Sequence, residues 1–327
     1  MMNRRIFVRS VAGSVLAVPL AALAQPKAAI RIGWLAFLPI ASNLATFRRT
    51  MKEFGYVEGE NLVIEERYAV RPERYAEVTA ELVRLKVDVI VTTGTQASLE
   101  AKKATATIPI VFVSSLVVTR GLVASLARPG GNLTGVELTS GDFDAKRVQL
   151  LKDAVPGLVN LAGLNDVSGQ QGSASTQRYW QQSEVAALQL GIRLGPRLDV
   201  RTIDDVDRAF AAAAKASAGA MLTPSSSFFH AYKERVVNAA ARSRLPTIYE
   251  HGDFVEAGGL MSYGSDLREV FRGAAVLVDK VLKGAKPANL PVEQATRIVL
   301  AINIKAAKAL GLTIPQSLLL RADEVIQ

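Results

Sequence analysis

Residues able to do chemistry in this chain fall mostly in short polar segments that each follow an apolar run. They are Phe37-Leu38-Pro39-Ile40-Ala41-Ser42, Thr93-Gly94-Thr95-Gln96, Ser114-Ser115, Asn165-Asp166-Val167-Ser168, Thr223-Pro224-Ser225-Ser226-Ser227 and Glu250-His251-Gly252-Asp253. Small hydroxyl and amide side chains at strand ends suit the binding of a small polar molecule, because helix N-termini and free backbone N–H groups converge there. Taken singly, each segment reads at least as well as a helix cap, where Ser, Thr, Asn and Asp are favoured anyway. Six such segments facing one cleft read together as a binding site.

Catalytic constellations are scarce by comparison. The chain has two histidines, His230 and His251, and no cysteine. Neither histidine has the carboxylate or cysteine spacing of a zinc site. No G-x-S-x-G elbow and no G-x-x-x-x-G-K-[ST] phosphate loop occurs. The acids Asp204, Asp205 and Asp207 sit at a helix start, where they complement the dipole. Neither a cofactor nor a metal is expected. The glycine-rich stretch "GLVASLARPGGNLTG", Gly121 to Gly135, follows a helical run and precedes a strand. A phosphate cradle needs the reverse order, so this stretch reads as a crossover between two bodies that makes no ligand contact.

The elements that must position these segments alternate along the chain. "AIRIGWLAF", "NLVIEERYA", "VDVIVTT" and "IPIVFV" read as strands, separated by the helical runs "NLATFRRTMKEFGY", "RPERYAEVTAELVRLK" and "TQASLEAKKATA". The Val/Ile-rich strands have the composition of parallel strands buried on both faces. After the glycine-rich stretch the pattern resets with "LVNLAGLND", "IRLGPRLDV", "AGAMLTP", "LPTIYEH" and "GGLMSYG", again with intervening helices. The expected fold class is α/β, with two doubly wound parallel-sheet lobes and a cleft between them. A chain of 327 residues with 49% hydrophobic residues is large enough to build both cores.

The first residues stand apart. "MMNRRIFVRS" is a basic region, "VAGSVLAVPLAALA" an apolar one, and Ala22-Leu23-Ala24 a small-residue cleavage pattern. Residues 1–24 are expected to be a secretory signal peptide cleaved before Gln25, and Arg4-Arg5 followed by Phe7 resembles a twin-arginine signal. Absence of cysteine leaves no residue for a lipid anchor and none for disulfides. Without Arg4, Arg5 and Arg9, the formal charge of +9 becomes about +6, spread among acids. That distribution lacks the basic, aromatic-interleaved footprint of a nucleic-acid binder.

Several blocks carry a resemblance: "IPIVFV", "GLVASLARPGGNLTGVEL", "KRVQLLKDAVPG", "FVEAGGLMSYG", "VDKVLKGAKPANLPVEQ" and "INIKAAKALGLTIPQSLLLRADEVI". They resemble the ABC-transporter substrate-binding proteins of the tryptophan/tyrosine-binding type. The resemblance implies a type I periplasmic binding-protein fold, a Venus-flytrap whose lobes are joined by three crossovers. These are placed near Gly130–Leu138, Leu260–Gly264 and Pro287–Pro291. The first lobe then takes residues 28–135 and 264–288, and the second takes 136–263 and 289–327.

The resemblance further implies a ligand carboxylate held at Thr93, Gly94, Thr95 and Gln96, with Ser114 and Ser115 in the next loop. Gln96 replaces a common proline of the relatives, and "SSLVVTRG" replaces their Asp-Pro. Asn165 matches a strand-end asparagine of the second lobe, and Asp266 falls where amino-acid binders place an acid for the ammonium group. Asp166 is the other candidate for that role. Phe37, Phe228 and Tyr249 are candidates for a side-chain pocket, and Ser225, Ser226 and His251 complete the expected ligand-binding set. The function implied is a monomeric, non-enzymatic periplasmic protein that captures an amino-acid-like, aromatic solute and delivers it to an ABC permease in the inner membrane. The alternative is a sensing module that presents its closed form to a membrane receptor. A hydrolase on the same fold ranks last, since no nucleophile–base or paired-acid set is evident.

Overall fold

The computed structural model describes residues 29–138, 143–168 and 174–327. The expected signal peptide, residues 1–24, lies outside the described residues. The first half runs β1 (Ile30–Ala36), α1 (Ala41–Glu53), β2 (Leu62–Tyr68), α2 (Tyr75–Arg84), β3 (Val89–Thr93), α3 (Thr95–Ala104), β4 (Ile110–Ser115) and β5 (Leu133–Leu138). Next come α4 (Phe143–Ala154), β6 (Asn160–Asp166), α5 (Ala174–Gln189), β7 (Arg193–Val200), α6 (Asp205–Lys215), β8 (Ala220–Leu222), α7 (Ser227–Ala231), α8 (Lys233–Arg242) and β9 (Thr247–Tyr249). The chain closes with α9 (Gly252–Glu256), β10 (Met261–Ser265), α10 (Leu267–Leu282), β11 (Glu293–Gln294), β12 (Ile298–Asn303), α11 (Ile304–Ala309), α12 (Gln316–Leu319) and β13 (Glu324–Ile326).

Two sheets organise these elements. The first has the order β11-β5-β4-β3-β1-β2 and every pairing in it is parallel. The second has the order β13-β12-β10-β9-β8-β6-β7, with β10–β12 as its antiparallel pair. Val89, Ile90 and Val91 of β3 are all fully buried, as expected for a strand covered by helices on both faces. Strand order reverses within each sheet, which creates the crevice at the C-terminal strand ends where ligands bind in doubly wound folds.

Helix α10 belongs with the first sheet although it follows a strand of the second. Its buried residues Val270, Phe271, Ala274, Ala275, Leu277, Val278 and Val281 recur at helical spacing. They pack against α1 and against β4 and β5, and Phe271 lies 5.8 Å from Trp34 of β1 between ring centroids. The chain therefore passes between the two sheets three times: after Leu138, at Asp266 and after Gln294.

These passes correct the expected boundaries by a few residues. All of β5 pairs with β4, from Leu133 opposite Ile110 to Leu138 opposite Ser115, so the first passage cannot begin at Gly135. Strand β10 pairs with β12 as far as Ser265, beyond the expected Leu260–Gly264. Strand β11 returns to the first sheet beside β5, beyond the expected Pro287–Pro291. A two-residue edge strand has no periodicity of its own, so only the fold reveals it. Pro129-Gly130-Gly131 is consequently the turn that enters β5, not a crossover. Gly130 and Gly131 have φ of 74° and 63° there, values that favour glycine.

Candidate functional site

A cavity of about 470 Å³ lies between the C-terminal ends of the two sheets. Its first-lobe wall is the junction between β3 and α3. Gly94 stands there at φ 88°, ψ 155°, a backbone conformation essentially reserved for glycine. Its N–H donates to Val113 O at 2.8 Å, which fixes the start of α3 to β4. Thr95 and Ser114 join their hydroxyls across the two strand ends at 2.9 Å. No side chain caps α3, so its first N–H groups and its positive dipole end are offered to the cavity. With the Ser115 residue beside them, they form a site suited to a carboxylate.

An aromatic rim continues this wall. Phe37, Pro72, Tyr75 and Ala76 from the first lobe face Phe228 of the second, with Phe37 and Phe228 6.1 Å apart between ring centroids. Arg120 also lines the first-lobe side, and burial holds its guanidinium below the usual arginine range. The two lobes meet at Gly94, where a Cβ would come within 2.7 Å of Ser227 Oγ.

The second-lobe wall is acidic. Asp166, at the end of β6, accepts from Ser168 N at 2.9 Å, from Ser168 Oγ at 2.6 Å and from Ser226 Oγ at 2.6 Å. Ser226 in turn caps α7 by accepting from Phe228 N and Phe229 N, each at 3.1 Å. Below them lies a buried charge network. Arg147 Nη1 donates to Asp144 Oδ1 at 2.6 Å, Arg147 Nε donates to Tyr263 O at 2.7 Å, and Arg147 Nη2 lies 3.8 Å from Glu250 Oε1. His251 Nε2 lies 3.2 Å from the other oxygen of Glu250.

Burial acts on both acids, with opposite outcomes. It pushes Asp144 up to about 7 despite the attraction of Arg147, and Glu250 adds repulsion. For Glu250 burial is outweighed by His251, Arg147 and the Ser225 hydroxyl, which hold its carboxyl down at about 2. Burial opposes charging of His251 as well, yet Glu250 and Asp253 raise it above the usual histidine range.

Of the residues expected from sequence, Phe37, Gly94, Thr95, Gln96, Ser114, Ser115, Asp166, Ser225 and Ser226 line the cavity. Four lie outside its wall. Thr93 ends β3 one residue before the Gly94 turn. Asn165 is engaged by its neighbours in the second lobe, donating to the exposed Asp199 Oδ1 at 2.6 Å and accepting from Trp180 Nε1 at 3.4 Å. His251 sits behind Glu250 rather than on the surface. Asp266 is the N-cap of α10, accepting from Arg268 N at 3.0 Å and flanked by the Arg268 and Arg297 guanidiniums at the passage between sheets. The carboxylate suits that place because it satisfies a helix terminus and two cations at once. Among the aromatic candidates, Tyr249 stacks on Phe254 at 4.9 Å inside the second lobe, away from the cavity.

Sequence reasoning missed Tyr75, Arg120, Asp144, Arg147, Tyr179 and Gln182, all on the wall. Asp144 and Arg147 are three apart on a helix, the spacing of any ordinary exposed ion pair. Arg120 had a signal, since it falls in the "SSLVVTRG" segment that departs from the relatives' pattern. Among the described residues, no group of three or more His, Asp or Glu is placed to hold a metal ion, and no helix is long and apolar enough to cross a membrane.

A two-sheet fold with a polar cleft at its strand ends defines a class, and sequence comparison places the chain within it. The model of the ABC transporter substrate binding protein family matches residues 41–326, so the chain belongs to that family. A tyrosine-binding protein of Clostridioides difficile (strain R20291) is 23% identical over 269 residues, covering 81% of this chain and 75% of that protein. The crystal structure of an ABC domain in complex with L-Trp from Streptococcus pneumonia superposes with TM-score 0.81 at 25% identity, over 91% of this chain and all of that one. A conserved domain protein of Vibrio cholerae O1 biovar El Tor superposes with TM-score 0.80 at 26% identity, over 90% of this chain and 99% of that one. The fold is that of the type I periplasmic binding proteins.

Proposed function

We propose that the protein captures an amino-acid-like zwitterion with an aromatic side chain between its lobes, and that it delivers this solute to an ABC permease after export to the periplasm. The observation that carries the reading is the unlikeness of the two walls. On the first lobe an uncapped helix N-terminus stands with the Thr95, Ser114 and Ser115 hydroxyls, and Lys103 and Arg120 balance Glu73 and Glu100; on the second Asp144, Asp166 and Glu250 outnumber Arg147, and aromatic rings lie at the rim. A carboxylate gains most where N–H donors converge, and an ammonium group gains most beside a carboxylate. The cavity volume falls at the small end of the range of ligand pockets and suits a molecule of amino-acid size. The L-Trp complex and the tyrosine-binding relative support the aromatic class. Both walls are needed for full affinity, so the solute favours the closed arrangement of the lobes.

A thermal-shift screen of the purified protein against amino acids, their deaminated analogues and sugars tests this. A ligand present at a hundred times its Kd stabilises by about 2.7 kcal/mol. Stabilisation by aromatic amino acids and not by sugars is the expected result. Stabilisation by sugars alone would overturn the zwitterion reading.

A further inference from the structure

The floor of the cavity on the second lobe contains a group that the structure leaves unfinished. Tyr179, from α5, is only 7% exposed and lines the cavity, and its hydroxyl makes no hydrogen bond of ordinary geometry among the described residues. Ser183 Oγ, one turn further along α5 and the neighbour that draws the Tyr179 phenol partly back down, is buried with no hydrogen bond of ordinary geometry either. A buried hydroxyl without a partner is destabilising unless something else completes it. Beside it stands Asp144, 6% exposed and also on the wall.

We propose that Asp144 and the Tyr179 hydroxyl form a cation subsite that receives the ammonium group of the bound solute. The proposal rests on the zwitterion reading above and names the acid that carries it. Three acids line the second-lobe wall, and two of them have more than one partner. Asp166 takes three hydrogen bonds from Ser168 and Ser226. Glu250 is held between His251 and Arg147. Among the described residues, Asp144 is bonded to Arg147 alone.

Among the described residues, Arg147 is the cation that reaches Asp144. Arg147 faces it from its own helix, Tyr179 from α5, Glu250 from the segment after β9 with His251 behind, and Tyr263 from β10. Of the other elements packed on α4, β8 and α12 carry no titratable side chain, and β9 carries Tyr249, which stacks on Phe254. Arg147 is thus shared by two buried carboxylates while His251 serves Glu250, and burial raises Asp144 to about 7. An ammonium group arriving beside Asp144 stabilises its ionised form and releases its proton.

Titration calorimetry of the full chain with L-tryptophan tests the assignment. With Asp144 near 7 in the free protein, affinity should rise about tenfold between pH 6 and pH 8. Runs at pH 7 in buffers of different ionisation enthalpy should show net release of protons on binding, because burial raises Asp144 in the free protein. Asp144→Asn should abolish both effects and weaken binding at pH 8 at least tenfold. Tyr179→Phe should weaken binding about threefold to tenfold, the loss of one hydrogen bond, without lowering Tm. That variant, and proton release by the wild type, keep the test decisive if Asp144→Asn fails to fold. Binding of L-tryptophan with no proton release and no effect of Tyr179→Phe overturns the subsite while leaving the zwitterion reading intact. Failure of every amino acid to bind between pH 6 and pH 8 overturns that reading and the subsite with it.

Discussion

Replacement of Gly94 by alanine separates two demands that the site makes on one residue. The first is conformational: at φ 88°, ψ 155° an L side chain is strained whatever space surrounds it. Such strain costs about 1–3 kcal/mol and acts on the folded state whether or not ligand is present. At roughly 2–4 °C per kcal/mol for chains of this class, Tm should fall by about 2–12 °C. The second demand is steric and belongs to the closed arrangement alone. The new Cβ meets Ser227 Oγ at 2.7 Å across the cleft, and that hydroxyl must leave its rotamer well. An off-rotamer side chain costs about 0.5–1.5 kcal/mol, equivalent to roughly a 2- to 13-fold loss of affinity. Calorimetric Tm and the Kd for L-tryptophan, measured on Gly94→Ala, Ser227→Ala and the double variant, complete a cycle. Ser227→Ala should restore most of the affinity lost in Gly94→Ala and none of the Tm. A Gly94→Ala protein that melts with the wild type refutes the strain argument, and a double variant as weak as the single one refutes the contact between lobes.

Three further outcomes follow from the charge network and the turns. Stability should fall as pH rises from about 4 to about 7, because Asp144 holds its proton more tightly when folded, by on the order of a few kcal/mol; denaturant titration of Asp144→Asn should lack this decline. Glu250 acts in the opposite sense, its contribution being complete above about pH 4.5 and lost as pH falls toward 2, so acid unfolding of Glu250→Gln should be shallower in that window. Gly131→Ala, at φ 63° in the turn entering β5, should cost about 1–2 kcal/mol in a melting experiment and leave ligand affinity unchanged, since the cavity is at the other end of that strand. Asp266→Ala removes the cap of α10 and should lower stability by about 0.5–2 kcal/mol; a loss of discrimination between amino acids and their deaminated analogues would return Asp266 to the binding site.

The architecture was legible because its signals are local. Runs such as Val89-Ile90-Val91, buried on both faces, and the amphipathic spacing of α10 declare strand and helix without tertiary information. The ends of the strands were legible too, and Gly94, Thr95, Ser114, Ser115 and Asp166 fall there, on the cavity wall. Where the chain changes sheets was less legible, because the pairing of Glu293-Gln294 with β5 depends on a partner more than 150 residues earlier. Asp266 and Asn165 lie off the cavity wall for a related reason: a cap, a hydrogen bond between neighbouring strands and a ligand contact all use the same residue types. Asp144, Arg147 and Tyr179 escaped notice because a buried charge pair on a helix has the same spacing as an exposed one. Only the packing of α4 against α5 and β10 distinguishes them.

A crystal structure of the protein with an aromatic amino acid bound tests the central claim most directly. The ligand is expected within the cleft, touching both lobes, with its carboxylate at Gly94, Thr95 and Ser115 and its ammonium group against the second-lobe acids. A ligand seated outside this cleft, or with its two charged ends reversed between the lobes, would contradict it.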